Sequence, residues 1–148
     1  MNRYSLANYT LSITPSASVA AQGFSTITIG GTDQYVGSIS VGVEQNIWST
    51  SGFATGAWVH NKNLDRTGTI SVSVSQLADQ VLYFIRLANI YLSGTDYAGC
   101  ELSISDIAGN VVASGKDCYP TNIPNISYTT DAGNLTLTWT CGRVTYNS

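Results

Sequence analysis

The side chains of this chain that could do nucleophilic, acid–base or metal chemistry are one histidine, three cysteines and nine acids. Catalysis needs a base, a nucleophile or a metal held within reach of a partner. His60 has no cysteine, histidine or pair of acids near it in the sequence, and the acids lie scattered or in predicted turns. The sequence also lacks a phosphate-binding loop, a serine elbow and a zinc-protease motif. It therefore predicts that the chain is not an enzyme and carries no cofactor or metal.

The cysteines, Cys100, Cys118 and Cys141, are separated by 18 and 23 residues, which fits no zinc-binding pattern. The first residues contain no apolar core of a signal peptide, so we expect synthesis in a cytoplasm, where thiols begin reduced. Cys141 lies on the inward phase of a predicted strand, which favours buried structural thiols. Because the number of cysteines is odd, a disulfide between subunits is the alternative once the protein reaches an oxidising medium.

Charged side chains are scarce, because they make up 10% of the 148 residues, against about a quarter in an average protein. Serine, threonine, asparagine and glycine stand where lysine and glutamate normally cover a surface. A monomer with so few charges is poorly protected against pairing at its strand edges, so we expect copies of the chain to cover much of its surface. The alternative is an extracellular β-domain with a neutral polar surface.

The net charge of −3 is spread along the chain, and the six basic residues form no cluster in the sequence. Stable binding of nucleic acid depends on several converging lysine or arginine side chains, so this function is not expected. No segment is long and apolar enough to span a membrane. The length of 148 residues predicts a single domain over residues 1–148, with 43% hydrophobic residues to build its core.

The clearest pattern is a strand that leads directly into a helix. Ile70, Val72 and Val74 alternate with small polar residues, which is typical of a half-buried strand. From about residue 76 to residue 92 the apolar residues adopt helical spacing, and one amphipathic helix is expected to close a sheet core. The predicted apolar stripe of this helix consists of Leu77, Val81, Phe84, Ile85, Ala88 and Leu92.

Most of the remaining chain alternates apolar and polar residues with the period of a strand, so the expected class is mainly β, an antiparallel sandwich or barrel. Residues 24–29 and 35–44 are joined by a Gly-Gly-Thr-Asp turn and are predicted to pair as a hairpin. Residues 16–23 are predicted to be flexible. Other predicted strands cover residues 9–14, 100–105, 111–114 and 135–141.

Residues 45–63 are too long for a tight turn and contain Trp48, Phe53 and Trp58. Loops of this length are usually functional or disordered, and large aromatic residues argue against disorder because they stabilise a protein only when something packs on them. The flanking strands already have a core face of their own. We therefore predict an arm that docks on another subunit. The alternative is a loop folded back on its own domain.

The order of these elements resembles the tail tube proteins of contractile bacteriophages and their relatives, over nearly the whole chain. The most specific part is the segment Asn63-Leu-Asp-Arg-Thr-Gly-Thr-Ile-Ser-Val72, which is similar to the N-x-D-R-S-G-T-I-x-L start of the corresponding strand in short tail tube proteins. The resemblance implies a β-sandwich capped by a helix. It further implies six copies in a ring, rings stacked into a hollow tube, and strands contributed to a continuous barrel around the lumen.

The resemblance also implies roles for particular residues. The arm takes the position of the family's stacking loop, so Trp48, Phe53, Trp58 and His60 are implied as contacts between subunits or rings. Small neutral side chains suit a channel for DNA, and six copies give a ring of about −18 that repels phosphate. The implied lumen-facing residues are Ser38, Ser40, Glu44, Ser71 and Ser73. The implied sheath-facing residues of the helix are Gln76, Asp79, Gln80, Arg86 and Asn89. A disulfide between rings, through Cys100, Cys118 or Cys141, stays open.

The implied partners are further copies of the chain, a tail sheath protein, baseplate and tail terminator proteins, a tape measure protein and genomic DNA passing through the lumen. The implied location is the tail of a virion, built from protein made in the bacterial host cytoplasm. Two other interpretations stay open. One is a carbohydrate-binding or adhesion β-domain that stacks sugars on Trp48, Trp58 and tyrosines. The other is the tube protein of a pyocin or type VI secretion particle.

Overall fold

The computed structural model of the chain describes residues 8–30, 36–75, 79–94, 97–124, 126 and 133–146. These residues contain nine strands and two helices, which confirms the predicted mainly-β class with one long helix. In chain order the elements are β1 (Thr10–Thr14), α1 (Ala17–Ala20), β2 (Ile27–Gly30), β3 (Val36–Val43), β4 (Trp48–Gly52), β5 (Trp58–Lys62), β6 (Gly68–Ser75), α2 (Asp79–Ser93), β7 (Cys100–Ser105), β8 (Val111–Pro120) and β9 (Asn134–Tyr146).

Seven of the strands form one curled antiparallel sheet in the order β2-β1-β7-β8-β9-β6-β3, while β4 and β5 pair, within the described residues, only with each other. Period-2 alternation gives each strand of the large sheet a buried face and a polar face. On β6, Ile70, Val72 and Val74 are buried, and the serines between them lie on the other face. An antiparallel sheet with its core on one face is the expected result of such alternation.

The helix α2 covers the buried face of the sheet, where it packs on β8 and β9. Phe84 of the helix meets Trp139 of β9 edge to face, and both side chains are almost completely buried. Gln80 is also buried, and its side-chain amide donates a hydrogen bond to the backbone oxygen of Thr28, 3.3 Å away. Neither described helix is both long and apolar enough to cross a bilayer.

The predicted stripe of α2 is wrong toward the end of the helix. Leu92, assigned to the stripe, is 76% exposed, and Leu87, left out of it, is fully buried. The reason is Tyr91, which takes the inward position at this end and donates a hydrogen bond to the backbone oxygen of Ala98 at 2.8 Å. The next residue points about 100° further round the helix and therefore faces solvent. Leu77 of the predicted stripe lies outside the described residues.

The predicted hairpin between residues 24–29 and 35–44 is also wrong. β2 pairs with β1, and β3 pairs with β6, so that the two strands lie at opposite edges of the seven-stranded sheet. The local glycine turn favoured pairing of neighbours, but β2 pairs with β1 over four positions and β3 pairs with β6 over seven. Residues 31–35 of the predicted turn lie outside the described part of the chain. In residues 16–23, predicted to be flexible, α1 forms and buries Val19.

β8 runs on to Pro120, beyond the predicted end at residue 114, and contains a bulge opposite β7. The β7 partner of Gly115 is Leu102 and that of Cys118 is Cys100, so three steps along β8 match two steps along β7. β8 and β9 keep one register on both sides of the bulge. Asp117 lies in the bulge with φ of 53°, and it is the one non-glycine residue with positive φ in the described chain. The extra residue keeps Gly115 and Cys118 on the same, buried face of the sheet.

Candidate functional site: the exposed arm and the hydroxyl face

The arm, residues 45–63, is the far end of a long two-stranded ribbon. Its strands β4 and β5 continue the antiparallel course of β3 and β6 beyond the edge of the sheet. Two backbone hydrogen bonds bridge the interval, from Glu44 N to Thr67 O at 3.2 Å and from Asn63 N to Ile47 O at 2.7 Å. The arm thus projects about 17 Å over its five paired positions, and no other described strand pairs with it.

The segment that resembles the tail tube motif is the turn at the base of the arm. The side-chain oxygen of Asn63 accepts a hydrogen bond from Asp65 N, and the Asp65 carboxylate accepts one from Thr67 N, both at 2.9 Å. The guanidinium of Arg66 donates to the backbone oxygens of Asp65 and Asn63, at 2.7 and 2.8 Å. The hydrogen bonds from Thr67 lower the pKa of the Asp65 carboxyl. These hydrogen bonds order the turn between β5 and β6.

The first side of the arm, which we call the tryptophan face, carries both arm tryptophans. Trp48 and Trp58 are 57% and 66% exposed. Between them Thr50 lies opposite His60, and Thr50 Oγ1 is 2.8 Å from His60 Nδ1. His60 therefore orders the hydroxyl of a neighbouring strand. By alternation the tryptophan face consists of Trp48, Thr50, Gly52, Trp58, His60 and Lys62.

The opposite side of the arm, which we call the phenylalanine face, is apolar as well. Ile47, Phe53 and Val59 are 54%, 56% and 46% exposed. The backbone hydrogen bonds of the arm continue to its tip, where Phe53 N donates to Ala57 O at 2.9 Å. A free two-stranded hairpin is at best marginally stable in water, and here large apolar side chains point away from both of its faces. The predicted alternative, an arm folded back on its own domain, does not match this exposure.

The implied lumen-facing serines lie together on the polar side of the sheet. Ser38 pairs with Ser73 and Ser40 with Ser71, in register across β3 and β6. The rows continue onto β9, where threonines stand opposite the β6 serines. We call this surface, opposite the core, the hydroxyl face; it consists of Ser38, Ser40, Ser71, Ser73, Thr136 and Thr138. Glu44 follows β3 by one residue and is exposed.

The solvent side of α2 keeps only some of the residues implied to meet a sheath. Arg86 and Asn89 are exposed, and the Arg86 guanidinium lies 5.6 Å from the centre of the Phe24 ring. The prediction for Gln80 is wrong, because its side chain is buried against β2 and does not belong to this surface. Gln76 lies outside the described residues, as does the side chain of Asp79. The surface also contains Leu82, which the sequence did not single out and which is 63% exposed.

The histidine, cysteines and acids do not form a metal-binding cluster in the part of the chain that the structure describes. Cys100, Cys118 and Cys141 are fully buried inside the protomer, so they are not presented to another copy. Open clefts at the base of the arm are lined by Asp65, Arg66, Arg143 and Tyr146 together with apolar side chains. The most unusual surfaces are therefore the arm and the hydroxyl face, and both are suited to contact with another molecule.

The fold of this chain, a curled antiparallel sheet closed by one helix, is similar to that of chains from a contractile injection system. A cryo-EM structure of the sheath/tube terminator of an extracellular contractile injection system, PVC, in the extended state matches with a TM-score of 0.59 and 12% identity, over 100% of this chain and 99% of the other. A chain of the PVC sheath–tube complex in the extended state matches with a TM-score of 0.61 and 11% identity, over 99% and 92%.

At these identities the similarity shows the fold. No protein-family model and no curated protein matches the sequence. The predicted resemblance to contractile tail tube proteins is thus confirmed at the level of the fold. The similar chains belong to an extracellular contractile injection system.

Proposed function

We propose that this chain is the subunit of the hollow inner tube of a contractile tail, in which hexameric rings stack and conduct DNA on infection. The observation that carries the proposal is the arm, which exposes large apolar side chains on both faces while the protomer core is complete without it. Exposed apolar surface of this kind marks a protein interface. A fold shared with chains of a sheath–tube complex and of a tube terminator makes further copies of the chain the fitting partners.

In this proposal the two faces of the arm contact two different copies. Trp48, Trp58 and His60 are anchors on the tryptophan face, and Phe53 is the anchor on the phenylalanine face. Tryptophan and other large side chains dominate binding when water is excluded from them. The long arm reaches beyond its own sheet, so it can contact a neighbour in the ring and a copy in the adjacent ring.

The sheet itself supports association side by side. β2 and β3 form its two edges, and in the described residues each pairs with one strand only. Edge strands with unpaired backbone groups are templates for pairing with another chain. Six sheets joined edge to edge give the continuous barrel, with the hydroxyl face and Glu44 toward the lumen. Its neutral hydroxyls and net negative ring suit the passage of DNA without adhesion.

The outer side of the tube is assigned to α2, which contacts the sheath through Leu82, Arg86 and Asn89. Baseplate and terminator proteins bind the two ends, and a tape measure protein occupies the lumen before DNA does. The particle is a phage tail in this proposal; a pyocin or type VI secretion particle would use the same tube. Leu82→Asp combined with Arg86→Glu is expected to leave tubes intact and to prevent sheath assembly around them. Sheath assembly unaffected by this double variant would remove the helix from the interface.

Negative-stain electron microscopy of the purified protein at rising concentration tests the tube. We expect hollow rods or six-fold rings from the wild type, and folded protomers without rods from Trp58→Ala and from Phe53→Ala. Leu82→Ala is the matched control, because Leu82 is 63% exposed on α2 and belongs to neither face of the arm. Rods from both arm variants, or a wild type that stays monomeric at every concentration, would contradict the proposal.

A second candidate function, glycan binding by an adhesion domain, is favoured by the tryptophan face alone. Its exposed indoles flank the Thr50–His60 pair, which provides hydrogen-bonding groups between two apolar platforms. The phenylalanine face has no part in such a site. A glycan array with the monomeric protein separates the two functions, because saturable binding lost in Trp48→Ala and kept in Phe53→Ala would favour the adhesion domain.

A further inference from the structure

Three cysteines form a row across the middle of the sheet. Cys100 on β7 is the register partner of Cys118 on β8, and Cys118 is the register partner of Cys141 on β9. The contacts of the three sulfurs differ along the row. The thiol of Cys118 donates a hydrogen bond to Cys141 Sγ at 2.8 Å, whereas Cys100 Sγ lies 3.4 Å from the hydroxyl of Tyr91.

The backbone under Cys118 and Cys141 has the geometry of a disulfide site. Register partners on antiparallel strands have Cα atoms about 4.5–5.5 Å apart, inside the range of about 4.4–6.8 Å that a disulfide needs. A disulfide bond is about 2.05 Å long, so the two sulfurs have to approach by only about 0.8 Å. Small rotations about the side-chain bonds provide this, without a change of register.

Gly115 provides the space for the two sulfurs. A Cβ atom at this position would lie 2.8 Å from Cys141 Sγ and 3.0 Å from Cys118 Sγ, closer than packed atoms tolerate. The bulge at Asp117 is what places Gly115 and Cys118 on the same face. The strand is therefore built so that two thiols, and no side chain between them, occupy this part of the core.

We propose that Cys118 and Cys141 are an oxidation site, at which a peroxide forms a disulfide across β8 and β9 within one chain and leaves Cys100 reduced. The hydrogen bond from Cys118 lowers the pKa of Cys141, so Cys141 is the sulfur that ionises first. Its thiolate attacks a peroxide oxygen, the O–O bond breaks, and a sulfenic acid and hydroxide form. The sulfur of Cys118 then attacks the sulfur of Cys141, and the S–O bond breaks.

This reaction is balanced by the groups present. Two thiols give two electrons to one hydrogen peroxide, and the two thiol protons complete two molecules of water. Because both sulfurs are buried, the reaction needs local opening of the sheet, and we expect it to proceed over hours. The inference does not depend on the tube assignment, since it rests on β7, β8 and β9 of a single protomer.

Mass spectrometry after mild hydrogen peroxide treatment tests the site, because trypsin divides the three cysteines between two peptides. Cys118 and Cys141 share the tryptic peptide 117–143, and Cys100 lies in the peptide 87–116. We expect the peptide 117–143 to lose two hydrogens without becoming linked to another peptide. Free thiols in the unfolded protein should fall from three to one. The oxidised protein should melt about 5–10 °C higher than the reduced one, because a disulfide constrains the unfolded chain.

The variants give a matched set. Cys100→Ala should still form the internal disulfide, whereas Cys118→Ala and Cys141→Ala should not, and circular dichroism checks that each is folded. Peptides 87–116 and 117–143 joined to each other, disulfide-linked dimers, or three thiols that stay free would each overturn the proposal. Because the peptide map is made on the wild type, a variant that fails to fold leaves the test intact.

Discussion

The ring of Phe84 and the indole of Trp139 meet at 89°, with their centres 5.2 Å apart. This contact fastens α2 to the middle of the sheet, and edge-to-face pairs stabilise a protein beyond the area that they bury. Phe84→Ala should lower the free energy of unfolding by about 3–5 kcal/mol, measured by urea denaturation. Leu82→Ala, on the solvent side of the same helix, should change it by less than about 0.5 kcal/mol. A loss from Phe84→Ala as small as that from Leu82→Ala would show that the helix contributes little to the core.

The indole N–H of Trp139 is buried and has no hydrogen-bond partner in the described part of the chain. Trp139→Phe removes this unsatisfied donor together with some volume. We therefore expect a loss of only about 1–2 kcal/mol, smaller than for Phe84→Ala. A loss as large as that of Phe84→Ala would indicate that the indole N–H has a partner in solution.

Gly68 and Gly42 lie close together on β6 and β3 and should respond oppositely to alanine. A Cβ atom at Gly68 would collide with the backbone oxygen of Gly42 and would lie 3.0 Å from Val144 Cγ2, whereas one at Gly42 meets nothing within 4 Å. Gly68→Ala should destabilise the protein by more than about 2 kcal/mol. Gly42→Ala should be neutral or stabilise it by up to about 1 kcal/mol. Urea denaturation of both variants measures this, and tolerance of Gly68→Ala would mean that β3 and β6 separate easily.

Asp117 occupies the left-handed region of the backbone, and its carboxylate accepts a hydrogen bond from Gly99 N at 3.3 Å. Asparagine adopts this conformation more readily than alanine and can make the same hydrogen bond. Thermal unfolding should therefore show Asp117→Asn close to the wild type and Asp117→Ala less stable by about 1–2 kcal/mol. Alanine and asparagine variants of equal stability would exclude a structural role for the bulge residue.

The hydroxyl of Tyr83 donates to the backbone oxygen of Ser25 at 3.0 Å, and burial raises the pKa of Tyr83 to about 12. The unfolded chain releases this proton near pH 10, so the folded state binds more protons between about pH 10 and 12. The stability contributed by neutral Tyr83 is complete below about pH 10 and is lost as the pH rises toward 12. Urea denaturation between pH 8 and 11 should show the difference between the wild type and Tyr83→Phe shrinking above about pH 10. A constant difference would contradict this, and Leu82→Ala, which removes no titrating group, is the control.

The sequence predicts most strands well because their alternation reports burial on one face directly. The serines and valines of β6 and the leucines of β9 have the period of a strand, and the structure buries the predicted residues. The pairing of strands is less predictable. The turn at Gly30 favoured a hairpin, yet the chain places β2 and β3 at opposite edges, because pairing depends on registers that are distant in the sequence.

The candidate site was predictable in part. Trp48, Phe53 and Trp58 mark the arm by their type alone, but the division into two faces requires the register of β4 and β5. Gln80 was misplaced because a polar residue can turn inward when a backbone oxygen accepts its hydrogen bond. The alignment of Cys118 with Cys141 was hidden for another reason. It depends on the pairing of β8 with β9, whose partner residues are distant in the sequence, and the spacing of the cysteines carries no signal of that pairing.

An arm with an apolar surface on each side has a kinetic consequence for assembly. In the proposed tube, a copy that joins a growing end covers one side of an arm at once, while the other side stays exposed until the next copy arrives. The first few copies therefore leave most of these surfaces in water, and the smallest complexes are the least stable per subunit. Growth should then show a lag and a threshold concentration, and preformed fragments added to fresh protein should abolish the lag. The shape of one hairpin would thus determine when particles begin to form, as well as how their parts fit.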